Sequence, residues 1–289
     1  MPLTPNTNPT SPESANPETI IAEFQKLGGK FLAKGHRSTW SPDGKKIAFG
    51  KGPWPTGIVV LDLDSGRTTQ TDSGKNPSWS GGDGRWIAYM TGDGDTQQVW
   101  VMEASGGNAR RISDGGFPSW TADGKHLLFS SLPKLQLLRV EFDDAQIAFD
   151  PKPLAPFCDW YPAISPDGSR VAYRMDNVLV ITESDSGKTV QRFALPPRNR
   201  FVGGLGGWSP DGKQLGFGGH GMEDTAPCLI VDVDTGQAVQ VASGYFTLPA
   251  WSPDGSQISF DLRLTTGTQI WLLETARLRD LPTMQLGVP

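Results

Sequence analysis

From Lys30 onward, apolar residues come in short runs that turn residues interrupt, which is typical of antiparallel strands rather than helices. The first such unit predicts four strands, at residues 37–41, 46–50, 57–62 and 67–71. Pro42-Asp43-Gly44 joins the first two strands, because Pro fixes φ, Asp bonds its own backbone and Gly adopts positive φ. Asp64-Ser65-Gly66 has the composition of a second hairpin turn, between the third and fourth strands.

This unit recurs six times, and each copy carries an apolar residue followed by a turn with an Asp-Gly pair. The marking residues are Trp40, Asp43 and Gly44; Trp79 and Asp83; Trp120 and Asp123; Ile164 and Asp167; Trp208 and Asp211; Trp251 and Asp254. Successive Asp residues lie 40, 40, 44, 44 and 43 positions apart. Four strands in each period predict an all-β fold, a six-bladed β-propeller of four-stranded antiparallel blades.

The repeated residues are interpreted as structural: Trp packs between blades, and Asp and Gly form the turn. The alternative is a ring of six Asp acting as metal ligands. The third copy is the least regular, because residues 135–149 contain little turn chemistry.

The N-terminal segment has a different pattern from the repeats. Residues 1–15 are mostly Pro, Thr, Asn and Ser, which predicts a disordered tail or linker. Residues 16–28 predict a short helix, with Asn16 as N-cap and an apolar face of Ile20, Ile21, Phe24 and Leu27. This helix is expected to pack outside the main domain, at residues 29–289, or else to bind a partner.

Two segments compete to complete the last blade and close the ring. Residues 30–33 precede the first Trp, where a fourth strand would lie, and we favour them in this role. Residues 277–281 are the alternative. If the N-terminal strand closes the ring, the C-terminal tail is expected to pack outside it.

The composition narrows the function. The chain has 289 residues, 10 Trp and a net charge of -5, which indicates a globular protein without the basic surface that nucleic acids require. No apolar run approaches the roughly 18 residues that span a bilayer. We also expect the protein to be a monomer. Cys158 and Cys228 lie in different repeats; two partly buried thiols are expected, with a disulfide as the alternative.

The repeat Trp-Ser-Pro-Asp-Gly, followed after two residues by Ile or Leu and then by Phe, resembles the WD40-like Asp-Gly repeat of TolB-type six-bladed propellers. A similar repeat builds the N-terminal propellers of the prolyl oligopeptidase and dipeptidyl peptidase family. The resemblance covers about residues 30–281 and implies the fold. It also implies a periplasmic or otherwise exported setting, although the chain does not begin with a signal peptide. The sequence lacks the Gly-x-Ser-x-Gly motif of the peptidase domain.

Few residues suit catalysis or metal binding. Of His36, His126 and His220, we expect only His36 and His220 on loops that a channel-bound metal would use. A metal-assisted hydrolase or lyase is therefore the alternative function. Asp62 to Gly66 and Asp232 to Gly236 resemble calcium loops but are interpreted as hairpin turns, so no cofactor is expected. Residues 203–207 are glycine-rich, which predicts a loop near the ring centre.

The favoured function is non-catalytic binding of a protein or peptide. In a propeller, the loops leading into each blade share one face with the loops between its second and third strands, around the channel. Arg37 and Asn76 lie on these loops, and aromatic and arginine residues are typical of interfaces. The candidate binding residues are Trp54, Phe117, Trp160, Tyr161, Arg200, His220, Tyr245 and Phe246.

Overall fold

The computed structural model describes residues 17–52, 57–131, 136–142, 147–156, 162–176, 178–195, 202–219, 228–242, 246–264 and 266–289, with only the backbone at some strand ends. Within these ranges the chain is mostly strand. The helices are α1 (Pro17–Lys26) and two short 3-10 helices, Gly94–Thr96 and Thr275–Asp280.

The strands are numbered in chain order, and after β1 (Lys30–Lys34) they fall into groups that each follow one sequence repeat. Blade 1 contains β2 (His36–Trp40), β3 (Lys46–Gly50), β4 (Ile58–Asp62) and β5 (Thr68–Gln70). Blade 2 contains β6 (Lys75–Trp79), β7 (Trp86–Thr91), β8 (Gln98–Glu103) and β9 (Arg110–Asp114). Blade 3 contains β10 (Gly116–Trp120), β11 (His126–Ser131), β12 (Gln136–Phe142) and β13 (Ile147–Pro156).

The second half continues in the same way. Blade 4 contains β14 (Ala163–Ile164), β15 (Arg170–Met175), β16 (Val178–Glu183) and β17 (Thr189–Ala194). Blade 5 contains β18 (Val202–Trp208), β19 (Gln214–Gly219), β20 (Cys228–Asp232), β21 (Gln237–Ala242) and, from the C-terminus, β25 (Thr283–Gln285). Blade 6 contains β22 (Phe246–Trp251), β23 (Gln257–Leu264) and β24 (Gly267–Glu274), together with β1.

Each blade is an antiparallel sheet whose strands lie side by side in chain order from the first strand outward, except that β1 is the outermost strand of blade 6. The first strands of successive blades contact one another from β2 through β6, β10, β14, β18 and β22, and β22 contacts β2. The contacts therefore form a closed ring. The protein is a six-bladed β-propeller with an N-terminal helix, which confirms the predicted fold.

The N-terminal strand closes the ring. Lys30 pairs with Leu272 and Lys34 with Gln269, so β1 is the fourth strand of blade 6. The competing segment does not fill this position, because residues Thr275–Asp280 form a 3-10 helix.

The expectation that the C-terminal tail packs outside the closing strand is wrong. Strand β25 pairs with β21 and adds a fifth strand to blade 5. The outer edge of β21 offers unpaired backbone groups, and Leu286, 4% exposed, packs with Phe193 and Leu195 in an apolar cluster.

Apolar packing between blades forms the core. Trp40, Trp79, Trp120, Trp208 and Trp251 are all buried. The Trp40 indole N–H donates to the Ala250 carbonyl of blade 6 at 3.0 Å, and the Trp208 indole N–H donates to Ala163 of blade 4 at 3.1 Å. These bonds connect neighbouring blades. Helix α1 packs on the same core, since Phe24 is 1% exposed and its ring lies 5.6 Å from that of Phe260.

The Asp of each repeat lies in the turn after the first strand. In blade 1 the Ser41 hydroxyl donates to the Asp43 carboxylate at 2.6 Å, and the Gly44 N–H donates to the Ser41 carbonyl at 2.9 Å. The bond from Ser41, followed by the one from the Lys45 N–H, holds the pKa of Asp43 below its ordinary value. Gly44 has a φ of 69°, the left-handed conformation that such a turn requires.

The glycine-rich segment 203–207 is not the loop that its composition predicted. It lies within β18, where Gly203 pairs with Gly218 and Gly207 with Gly216. The cross-strand hydrogen bonds of a blade require no side chains, so the ladder overrides the weak strand preference of glycine.

Candidate functional site

A cavity of about 210 Å³ opens at the end of the ring where the chain enters each blade. We call it the channel mouth. Its lining comes from the positions just before the Trp or Ile that ends each first strand. These are residues 37–39, 76–78, 117–119, 162–163, 207, 248 and 250. The Asp-Gly turns lie at the opposite end of the first strands, so the repeat motif itself is not part of the cavity lining.

Four blades share an unusual backbone at the channel mouth. Arg37, Asn76, Phe117 and Leu248 have φ values of 57°, 51°, 57° and 50°, and each stands three positions before the Trp of its blade. The pairing of the first strand with the second shifts register at each of these places. Left-handed conformations cost energy for Arg, Phe and Leu, while Asn tolerates them better. These four bulged residues all line the cavity.

The bulged residues repeat the backbone but not the side chain. They carry a guanidinium, an amide, a phenyl ring and an isobutyl group, and all four residues line one cavity. By sequence register, Tyr161 and Leu205 stand at the same position in the other two repeats. Tyr161 lies outside the described residues, and of Leu205 only the backbone is described. At the channel mouth, these four blades therefore share the bulged backbone but differ in the side chain at that position.

A buried carboxylate supports the bulge of blade 1. Asp261 of blade 6 is 1% exposed and accepts the backbone N–H of Arg37 at 2.5 Å. Its second oxygen, Oδ1, has no hydrogen-bond partner among the described residues. Burial raises the pKa of Asp261 to about 7. Nearby, the Ser38 hydroxyl donates to the Ser259 hydroxyl at 2.9 Å, a second bond between blades 1 and 6.

Positive charge gathers beside this carboxylate. Burial, followed by the positive charges of Arg37, Lys75 and Arg263, lowers the pKa of His36 to about 4. Lys75 is itself 5% exposed, and its ammonium contacts the carboxylate of Asp93 on the loop after β7. The cations come from three neighbouring blades, 6, 1 and 2, and Arg37 is the one that lines the mouth.

Two buried amides have unsatisfied oxygens, and the one at Asn76 lines the cavity. The Asn76 Nδ2 lies 2.9 Å from the Met90 sulfur, and Asn76 is 7% exposed. Its Oδ1 has no partner in the described part of the chain, and neither does the Oε1 of Gln97, which is 6% exposed. Buried acceptors without donors are uncommon and mark places where a ligand or water donates.

The structure places only some of the predicted binding residues. Phe117 lines the channel mouth and is 7% exposed. Phe246 begins β22, and only its backbone is described. Outside the described residues lie Trp54, Trp160, Tyr161, Arg200, His220 and Tyr245. Those six remain predictions, and so does the pairing of His220 with His36 around a metal.

Sequence reasoning missed Leu248, Asp261 and the role of Lys75. A signal for Leu248 exists, because Leu248-Pro249-Ala250-Trp251 matches Asn76-Pro77-Ser78-Trp79 and Phe117-Pro118-Ser119-Trp120 in register. Asp261 also departs from its template, since it follows Ile258-Ser259-Phe260 where blades 1 and 5 have glycine. The bond from Asp261 to Arg37 joins distant parts of the chain and has no local signal.

The predicted metal ligands, calcium-like loops and cysteines are the other candidate sites. Within the described ranges, no three His, Cys, Asp or Glu residues are grouped as metal ligands would be. The Asp62 carboxylate accepts the N–H of Ser65 at 2.9 Å and its hydroxyl at 2.7 Å, the geometry of a hairpin turn. Cys228 is a buried free thiol whose pKa burial raises, and Cys158 lies outside the described residues.

A larger cavity of about 660 Å³ lies between blades 5 and 6, beneath the 3-10 helix Thr275–Asp280. Its walls are shared positions of the repeat, including Asp211, Trp251 and Asp254, together with Leu278. It arises where the chain crosses from blade 6 to blade 5, and it presents no side chain particular to a ligand. No helix among the described residues has the length and apolar character that crossing a membrane requires.

Comparison with known proteins agrees on the fold. No protein-family sequence model matches the chain. One curated relative, an uncharacterized peptidase, YuxL, of Bacillus subtilis, is 28% identical over 105 residues. That match spans 31% of this chain and 16% of the peptidase.

Several solved structures superimpose on most of the propeller. Hydrazine synthase of Kuenenia stuttgartiensis has a TM-score of 0.59 at 15% identity, covering 80% of this chain and 74% of that one. TolB of Acinetobacter baumannii has a TM-score of 0.59 at 17% identity, covering 84% of this chain and 63% of TolB. An oligogalacturonate lyase in complex with manganese has a TM-score of 0.55 at 13% identity, covering 86% and 77%. At these identities the likeness shows the fold alone, that of a TolB-like propeller.

Proposed function

We propose that this protein is a non-catalytic module that binds a protein or peptide at the channel mouth. The observation that carries the proposal is the set of four bulged residues, Arg37, Asn76, Phe117 and Leu248. A repeat protein that only needed a closed ring would use the least strained residue at this position, which is glycine. Instead, three different strained side chains and an Asn converge on one cavity.

The size and lining of the cavity favour a small, mixed polar and apolar part of a larger ligand. About 210 Å³ is less than the roughly 300–1,000 Å³ of typical pockets for drug-sized molecules. Such a cavity accommodates one or two residues of a peptide, while the loops around it contact the rest. The solved proteins with a similar propeller include a lyase and TolB. The fold by itself therefore does not determine the function.

The test uses a mixture of N-acetylated random hexapeptides passed over the immobilised protein, with retained peptides identified by mass spectrometry. We expect retention of intact peptides and its loss in the double variant Asn76→Gly/Leu248→Gly, because glycine keeps the bulged backbone and removes both side chains. The matched control is Lys45→Ala/Lys213→Ala, which alters exposed residues of the turns at the opposite end of the strands.

Two results contradict the proposal. Equal retention by the double variant and the wild type would place the contact elsewhere. Cleavage of the peptides, seen as new masses and increased by added manganese, would favour the metal-assisted hydrolase or lyase. That activity would then be tested in variants of His36 and His220.

A further inference from the structure

The first observation concerns charge. The chain carries a net charge of -5, yet Arg37, Lys75 and Arg263 all lie close enough to His36 to act on its charge, and Arg37 lines the channel mouth. Because most of the molecule is acidic, this concentration of cations is local. A basic site attracts an anionic group, while the acidic remainder of the surface repels anions.

Two carboxylates of the described chain, those of Asp93 and Asp261, lie near these cations. Lys75 contacts the carboxylate of Asp93, whose side chain is 81% exposed. Asp261 lies beneath the Arg37 backbone, and since burial raises its pKa to about 7, it is only partly ionised near neutral pH. Among these groups of the described chain, the cations outnumber the negative charges.

The second observation is independent of charge. Asn76, in the neighbouring blade, is nine-tenths buried, lines the cavity and has an Oδ1 without a partner among the described residues. This atom accepts a hydrogen bond and cannot donate one. A simple anion leaves it unsatisfied, so the ligand requires an N–H or O–H donor as well as a negative group.

The donor and the negative group must lie close together. Blades 1 and 2 touch at their first strands, where the Trp79 N–H donates to the Thr39 hydroxyl at 3.3 Å. Arg37 and Asn76 stand at equivalent positions of these adjacent strands. The carboxyl end of a peptide carries a carboxylate and, one residue-length away, the N–H of its last residue.

Apolar residues form much of the remaining lining. Phe117 and Pro118 of blade 3 and Leu248 of blade 6 line the cavity, together with Ser78 and Ser119. At roughly 30 Å³ for each water molecule, the whole cavity holds about seven waters, which is the space of one terminal residue rather than of a continuing chain.

We propose that the channel mouth binds the carboxyl terminus of a peptide whose last residue is apolar. The terminal carboxylate lies beside Arg37, the last N–H donates to Asn76 Oδ1, and the side chain contacts Phe117 and Leu248. This inference rests on the proposed function and adds to it the part of the partner that is recognised.

The experiment compares two mixtures of N-acetylated random hexapeptides that differ only at the carboxyl end, one with a free carboxylate and one with a terminal amide. Peptides retained by the wild-type protein are synthesised in both forms, and their Kd values are measured by fluorescence anisotropy. We expect the amide to bind at least roughly tenfold more weakly, since it removes a charge-assisted interaction. A third form, amidated but ending in Glu, separates a terminal carboxylate from a side-chain carboxylate; we expect it to bind as weakly as the amide.

Variants test the assigned residues. Arg37→Gly removes the guanidinium but keeps a residue suited to a φ of 57°, so the protein is expected to fold and to bind the free acid and the amide equally. Arg263→Ala is expected to reduce the preference as well and does not depend on the bulge. Asn76→Gly is expected to weaken both forms while the preference for the free acid remains. Arg67→Ala, on an exposed turn at the far end of blade 1, is the matched control and is expected to retain the wild-type Kd for both forms.

The outcomes separate the two proposals. If wild-type protein binds both forms equally, or if Arg37→Gly and Arg263→Ala keep the full preference, the carboxyl-terminal inference is wrong while peptide binding at the mouth stands. If the Glu-ending amide binds as well as the free acid, the site recognises a side-chain carboxylate and the inference is also wrong. If neither mixture is retained, both proposals fail.

Discussion

The carboxylate of Asp261 in blade 6 accepts the backbone N–H of Arg37 in blade 1, 224 residues earlier in the chain. Arg37 has a left-handed backbone, and Asp261 is almost completely buried. The bond joins the two blades whose contact completes the ring. It also fixes the bulge that presents the Arg37 side chain to the channel mouth.

Asp261→Asn is expected to change how stability depends on pH. The pKa of Asp261 is about 7 in the folded protein, above its ordinary value of 3.8, so the folded state keeps a proton that the unfolded chain loses. Stability from this group is complete below pH 3.8 and is lost as pH rises to about 7. Asn does not titrate, and its carbonyl still accepts the Arg37 N–H. The free energy of unfolding of the variant should therefore rise relative to wild type by about 1.4 kcal/mol per pH unit across that window. Chemical unfolding at several pH values measures this, and parallel curves would contradict it.

His36→Gln is expected to shift the pH dependence in the opposite direction. The pKa of His36 falls from 6.5 to about 4 because of burial and the surrounding cations. Below pH 6.5 His36 is protonated in the unfolded chain, whereas in the folded protein it is protonated only below about pH 4. Acidification therefore destabilises the protein between pH 6.5 and pH 4. Gln removes that loss, and the variant should gain stability relative to wild type as pH falls from 6.5 to 4. An NMR titration of the His36 ring with a midpoint near 6.5 would show the prediction to be wrong.

Substitutions at Asn76 should depend on backbone conformation more than on size. Asn76 has a φ of 51°, a conformation that glycine adopts without strain. Asn76→Val places a β-branched residue in this conformation, where such residues are most disfavoured. We expect the Val variant to be less stable than the Gly variant by about 1–3 kcal/mol in chemical unfolding. Equal stability of the two variants would mean that the bulge relaxes at little cost.

The Asp residues of the repeat should matter through their turns. Asp167 accepts hydrogen bonds from the hydroxyls of Ser165 and Ser169, and these bonds, Ser165 first, lower its pKa to about 2. Asp167→Ala should cost about 1–2 kcal/mol at neutral pH. Because the folded pKa lies below the ordinary 3.8, that contribution is present above pH 3.8 and is lost as pH falls through about 2.

The control for Asp167 is Asp185→Ala. Asp185 is 89% exposed, and it forms an ion pair with Arg139 at 3.3 Å. Exposed ion pairs contribute about 0–1 kcal/mol, so the variant should unfold close to wild type in the same thermal and chemical measurements. A loss as large as that of Asp167→Ala would argue against the importance of the turn.

The sequence predicts the fold well because its evidence is local and repeated. Each Trp, turn and Asp specifies one blade, and six copies reinforce the same interpretation. The bulges are harder to predict, since Arg37, Phe117 and Leu248 do not favour left-handed backbone. Their conformation comes from strand pairing and, for Arg37, from a carboxylate in the last blade. Likewise Thr283-Met284-Gln285 has no strand pattern of its own, and the open edge of β21 determines its structure.

Because β1 closes blade 6, the strand that precedes all the blades in the chain pairs only with the last of them. Lys30 cannot pair until Leu272 has been synthesised, so β1 lacks its partner while blades 1 to 5 are being made. Contacts so distant in sequence slow folding, and an unpaired apolar edge invites association with other chains. The same strand that completes the native ring is therefore the segment most exposed to domain exchange between nascent molecules.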